Sequence, residues 1–185
     1  MAVSSGKIEL GFVATEFELW EPFTNNHRKL SELKSDKATV IMFLCNHCPY
    51  VQHIFPVLIK LAVEYFRKGI SFIGINSNDP VSHASDSPAM MIKEVKNRQI
   101  SFPYLFDESQ DIARAYGACC TPEFNIFDSE MKCVYRGQFD DSRPGNNTPV
   151  TGNDIRYALD AILYNKPLQK EQRQSIGCSI KWKAR

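Results

Sequence analysis

The sequence has no long apolar run. Its most continuous one, Val40 to Cys45, falls far short of the ~20 residues that a membrane-crossing helix needs. An apolar h-region is also missing at the start, where Met1 to Leu10 carries Lys7 and Glu9, so no signal peptide is expected. Neither sign of charge dominates: 22 Lys and Arg stand against 21 Asp and Glu, a net charge of +1. That balance provides no long-range field for nucleic acid or an anionic membrane. No G-x-G-x-x-G, no phosphate loop and no basic stripe with interleaved aromatics occurs, so nothing points to a nucleotide, a flavin or nucleic acid.

What is present is a chain of 185 residues, 43% hydrophobic and 23% charged. These values are close to the globular average and exclude disorder and collagen-like repeats. A chain of this size buries roughly 70% of the surface its unfolded form exposes, so no disulfide staple is required. Six cysteines therefore need another explanation. Without an export signal the expected setting is the reducing cytoplasm, where cysteine pairs are catalytic, redox-sensing or metal-binding.

The apolar period alternates between strand and helix. Ala38 to Leu44 reads as a strand buried on both faces. From Pro49 to Lys68, Val51, Ile54, Phe55, Leu58, Leu61, Ala62, Tyr65 and Phe66 recur at helical spacing. Ile70 to Ile75 is a second buried strand, Ser87-Pro88 opens a helix to about Arg98, and Phe102 to Phe106 and Ser109 to Tyr116 form a further strand and short helix. Glu123 to Phe127 and Lys132 to Arg136 suggest a hairpin, and Asn153 to Tyr164 a last helix. Phe17 to Leu33 adds a small N-terminal hairpin and a turn of helix, whereas Leu168 to Arg185 takes no firm assignment. The pattern predicts an α/β fold, a mixed central sheet with helices on both faces, in one domain over residues 1–185 with a core of about 11–166 and a tail of 167–185.

The chemistry concentrates at Cys45-Asn46-His47-Cys48-Pro49, where a strand ends and a long helix begins. A thiol at a helix N-terminus meets unpaired backbone N–H groups and the positive end of the macrodipole. Both favour the thiolate and lower its pKa below the ~8.5 of a free cysteine. Cys48 is thus the expected nucleophile, with Pro49 at the first helical position, where its missing N–H costs nothing. Pro56 falls inside the helical pattern, where proline costs ~3 kcal/mol and bends a helix.

These residues resemble the thioredoxin-fold redoxins, most closely a peroxiredoxin-like subfamily of the alkyl hydroperoxide reductase/thiol-specific antioxidant type. The resemblance runs from about Gly11 to Trp182 and is carried by C-N-H-C-P-Y-V (45–51), F-P-Y-L-F-D-E-S-Q (102–110), A-Y-G-A-C-C-T-P-E-F (115–124), Y-R-G-Q-F-D-D-S-R-P-G-N (135–146) and S-I-G-C-S-I-K-W-K (175–183). It implies a thioredoxin-like fold, Cys48 as nucleophile, and Thr121-Pro122 as a cis-proline pair whose backbone faces that nucleophile and receives an extended substrate. Val51 stands where thioredoxins have their second cysteine. Cys45 and Ile41 replace the threonine and proline that peroxiredoxins place three and seven residues before theirs. No buried acid of the thioredoxin kind lies between Ala38 and Leu44.

Three cysteines compete to resolve Cys48: Cys45 first, Cys120 second and Cys178 third, with Cys119 and Cys133 as filler. His47 is either a proton shuttle beside Cys48 or a solvated loop histidine. Arg136 and Arg143 either depress the thiolate pKa or pair with Asp140 and Asp141 to hold their loop. The leading expectation is a thiol oxidoreductase with no organic cofactor, acting on a peroxide or a protein disulfide with electrons from a cellular dithiol. The alternatives are a copper or zinc module using Cys45, His47 and Cys48, and a redoxin fold kept only for binding.

Overall fold

The computed structural model describes residues 2–6, 9–168 and 171–184. Met1, Lys7 and Ile8 of the N-terminal stretch and Gln169, Lys170 and Arg185 of the tail lie outside the described residues. In chain order come β1 (Ala2–Ser4), β2 (Glu18–Glu21), β3 (Asn26–Lys29), α1 (Leu30–Leu33), β4 (Ala38–Phe43) and α2 (Pro49–Phe66). Then follow β5 (Ile70–Asn76), α3 (Pro88–Arg98), β6 (Tyr104–Phe106), α4 (Asp111–Ala115) and β7 (Cys120–Thr121). The chain finishes with β8 (Glu123–Asp128), β9 (Cys133–Gly137), α5 (Asn153–Leu163) and β10 (Ile176–Ser179).

Seven strands form a mixed sheet in the order β3-β2-β6-β5-β4-β8-β9. β4 is central, parallel to β5 on one side and antiparallel to β8 on the other. Strand alternation sends its side chains to two cores. Val40 and Met42 join the apolar faces of α2, α3 and α5, while Ile41 and Phe43 pack with α1 and α4 residues Leu30, Leu33 and Ala113. All six β4 residues are buried, which is why that segment reads as a continuous apolar run rather than an alternating one. The predicted hairpin at the N-terminus is β2–β3, and it extends the sheet edge beside β6.

Helix α2 buries Val51, Ile54, Phe55, Leu58, Leu61, Ala62 and Tyr65. Phe66 departs from the predicted apolar face and is 73% exposed. The helix runs through Pro56, which lies on the solvent side. There the carbonyl that loses its partner can be hydrated, which limits the cost of an interior proline.

The tail, unassigned from sequence, carries β10 as the middle strand of a second sheet, β1-β10-β7. Its ladder partners are distant in sequence. The strand is held by segments from the other end of the chain and from around residue 120, a non-local pairing that no periodicity announces.

Candidate active site

β4 delivers its C-terminal end to α2 through Leu44 to Cys48. Cys48 occupies the N-cap of α2 with extended backbone, and Pro49 follows inside the first turn. The loop is fixed by one carboxylate. Asp86, fully buried, accepts from the Asn46 N–H (2.7 Å) and the Asn78 side-chain amide (2.8 Å), and lies 2.5 Å from His47 Nδ1. The Tyr104 hydroxyl donates to Asn46 Oδ1 at 3.0 Å. Sequence reasoning passed over Asp86. Its only signal was the Ser-Asp-Ser-Pro cluster ahead of α3, which reads as a helix cap.

The Thr121–Pro122 peptide is cis, and Thr121 meets both cysteines of the loop. Its hydroxyl is 3.0 Å from Cys45 Sγ, and its carbonyl oxygen is 3.2 Å from Cys48 Sγ. Across the β10–β7 ladder, Thr121 faces Cys178. Cys45 and Cys48 are fully buried, while Cys178 is half-exposed.

The three thiols are electrostatically unequal. Cys48 is lowered to about 5, chiefly by a hydrogen bond from Cys45; burial opposes this, and Cys178 and the Val51 N–H assist. Cys45 is raised well above the ordinary thiol range by donating to Cys48, by burial and by Asp86. Cys178 is raised to about 11 by burial and by its bond to Cys48. The first ionisation of the cluster therefore belongs to the thiol at the helix N-terminus.

The remaining predicted residues make their hydrogen bonds outside this cluster. Cys120 and Thr121 are neighbours in a strand, so their side chains point to opposite sides. The Cys120 sulfur sits against Glu123 Oε2 (3.8 Å) and the Ser175 carbonyl (4.0 Å). Its bond to Cys119, and then burial, raise its pKa. Arg136 is paired with buried Glu123 at 2.9 Å and donates to the Gly117 carbonyl. Glu123 is opposite Phe43 on β4, whose side chain belongs to the core on the other face of the sheet from Cys48. The structure thus separates Arg136 from the nucleophile, because the β8 and β9 registers turn it to the far face, while Cys120 on β7 points away from the Thr121 side chain but stays near enough for Cys48 to raise its pKa. His47 is adjacent to Cys48 in sequence, but its ring turns to Asp86 and stacks on His83 at 5.0 Å. Arg143 donates to the Asp140 and Ser142 carbonyls at 2.6 Å, a loop-holding role.

For a metal, the sequence set was Cys45, His47 and Cys48. The described residues instead gather Cys45, His47 and Asp86, and separately Cys119, Cys120 and Glu123, each with donor atoms within 4.8 Å of one another. No helix among the described residues is long and apolar enough to cross a membrane.

A family model described as AhpC/TSA family matches residues 10–136. A search of curated proteins finds no match. Among solved structures, the chain is similar to an uncharacterized conserved protein from Geobacillus kaustophilus, with TM-score 0.97 and 53% identity over 99% of this chain and 97% of that one. It is also similar to a hypothetical protein from Sinorhizobium meliloti 1021, with TM-score 0.95 and 44% identity over 98% of each chain. At the level of fold alone it matches the peroxidoxin BcpB from Mycobacterium tuberculosis, with TM-score 0.63 and 19% identity over 86% of this chain and 98% of that one. With the family model covering residues 10–136, on a thioredoxin-like sheet that presents a cysteine at a helix N-terminus, the chain belongs to the AhpC/TSA family and to its thiol-based redox chemistry.

Proposed function

We propose that the protein is a thiol oxidoreductase in which Cys48 is the nucleophile toward a hydroperoxide or a disulfide. The observation that carries this reading is the placement of Cys48 at the N-cap of α2, against the Thr121 carbonyl, with its pKa lowered to about 5. At neutral pH such a thiol is a thiolate, the form that attacks. With a hydroperoxide, the sulfur takes the outer oxygen, the O–O bond breaks, and the second oxygen leaves with a proton as water or alcohol. With a disulfide, a mixed disulfide forms and one thiolate leaves. A second thiol of the chain then displaces the group on Cys48, and an external dithiol restores the reduced protein. The same reading carries a reducing cytoplasmic setting and one domain spanning core and tail.

The test is turnover of hydrogen peroxide, and separately of a small disulfide, with dithiothreitol as electron donor. Replacing Cys48 by Ser removes the nucleophile, so both activities should fall by roughly a hundredfold or more. Undiminished turnover in that variant would overturn the reading.

A further inference from the structure

An exposed strand edge beside a reactive thiol is a place where an extended peptide can pair. Without β10, β7 would be such an edge, and its last residue, Thr121, holds the carbonyl that meets the Cys48 sulfur at 3.2 Å. In this protein the chain itself occupies the position. β10 lies antiparallel on β7, with Cys178 opposite Thr121 and Ser179 opposite Cys120. The two backbones approach closely. A Cβ on Gly177 would stand 1.9 Å from the Thr121 carbonyl oxygen, so only glycine permits the contact. β10 also packs on α2, and Cys178 packs against the core cluster that includes Cys45 and Cys48.

The strand is strapped in place from several directions. The Ser5 N–H donates to the Ser175 carbonyl (2.8 Å), the Ile180 N–H to the Cys119 carbonyl (3.0 Å), and the Asp79 N–H to the Lys181 carbonyl (2.8 Å). The Ser175 hydroxyl donates to the Gly137 carbonyl at 2.6 Å. The tail is thus threaded against Thr121, a residue that touches both loop cysteines.

We propose that β10 is a built-in strand occupying the place of an extended substrate, and that its Cys178 is the thiol that resolves oxidised Cys48. The proposal rests on Cys48 being the nucleophile. Exposure distinguishes Cys178 from Cys45. A bridge between Cys45 and Cys48 would join two fully buried sulfurs, which an external dithiol cannot reach without opening the core. A bridge to half-exposed Cys178 leaves a sulfur that the dithiol can attack directly. After a hydroperoxide has converted Cys48 to the sulfenic acid, the Cys178 sulfur attacks the Cys48 sulfur. An S–S bond forms, the S–O bond breaks, and hydroxide leaves as water with the Cys178 proton. Two thiols are oxidised and one hydroperoxide is reduced. While β10 is docked, a protein disulfide finds this edge filled, so a small hydroperoxide is the substrate class the arrangement accepts.

The test uses the fully reduced chain, freed of reductant, treated with one equivalent of hydrogen peroxide, then alkylated and mapped by mass spectrometry. A Cys48–Cys178 disulfide is expected in the natural protein. In Cys178→Ser, a dimedone-reactive sulfenic acid at Cys48 should persist, because the intramolecular partner and its proximity advantage are gone, slowing bridge formation by on the order of tenfold or more. A Cys45–Cys48 bridge in the natural protein, or bridging at the natural rate in Cys178→Ser, overturns the assignment of Cys178 while leaving Cys48 as nucleophile. Absence of any oxidation at Cys48 in either protein overturns the reading of Cys48 and the pairing with it.

Discussion

Across 73 residues of chain, the Cys48 sulfur meets the Thr121 carbonyl oxygen at 3.2 Å. A protonated Cys48 donates to that oxygen, whereas an ionised one is repelled by it. The thiolate has other donors at hand: the Cys45 and Cys178 thiols and the Val51 N–H. Ionisation therefore exchanges one set of partners for another within the same buried space, and each thiol around Cys48 keeps its proton in order to donate.

Alkylation by iodoacetamide across a pH series, read cysteine by cysteine, should separate the thiols. Cys48 is expected to titrate near 5 and Cys119 near 7, with Cys178 near 11 and Cys133 near 12. Cys119 is a finding the sequence did not suggest: half-exposed, its thiolate is favoured by a bond from Cys120. Midpoints for Cys48 and Cys119 at the ~8.5 of a free thiol would contradict this ordering.

The lowered pKa of Cys48 also predicts a pH-dependent stability. Its folded value of about 5 is below the ~8.5 of an unfolded cysteine, so the thiolate's contribution is complete above the unfolded value and is lost as pH falls through the folded one. Cys45 is shifted the other way, so its contribution is lost as pH rises beyond the unfolded value. The stability difference between the natural protein and Cys48→Ser should therefore widen from about pH 5 to about pH 8 and stop widening above it. Urea midpoints of both proteins across that range measure it, and a flat difference would refute it.

Gly177→Ala tests the seat of β10. The added methyl meets the Thr121 carbonyl carbon and oxygen at 2.6 and 1.9 Å, which are backbone atoms that can yield only by moving the strand. Overpacking of this kind costs about 1–3 kcal/mol, and local undocking is the cheaper escape. Cys178 alkylation should accelerate by roughly tenfold, with a smaller fall in the global urea midpoint. An unchanged Cys178 rate would show that β10 is not held by this contact.

Arg136 should matter for folding through Glu123. Removing the arginine alone leaves a buried carboxylate whose pKa burial already raises, so Arg136→Met should lose about 3–5 kcal/mol in urea denaturation at neutral pH. Combining it with Glu123→Gln removes the orphaned charge and should recover most of the loss. A double variant no more stable than Arg136→Met would argue against the ion pair as the reason for the arginine.

Asp86→Ala should cost about 1–3 kcal/mol for each buried donor it leaves unpaired, in this case the Asn46 N–H and the Asn78 amide. Because Asn46 lies in the loop that ends at Cys48, the Cys48 midpoint in the alkylation series should move as well. A stability loss with an unmoved midpoint would confine Asp86 to a structural role.

Much of this protein is determined by sequence alone, because local rules carry it. The period of Ala38–Leu44 and of Pro49–Lys68 defines β4 and α2, and their junction defines a cysteine at a helix N-terminus, with proline marking the first turn. Only the tertiary structure decides what surrounds that cysteine. Strand pairing turns Arg136 to the far face, although it lies within a matching motif, and brings Asp86 to the loop from 39 and 40 residues away. Four tail residues without a periodic signal become a strand because Ala2–Ser4 and Cys120–Thr121 offer them open edges. Helices and buried strands announce themselves through contacts a few residues apart. A short strand that closes over a thiol 130 positions earlier is specified by pairing, and pairing exists only in the folded chain.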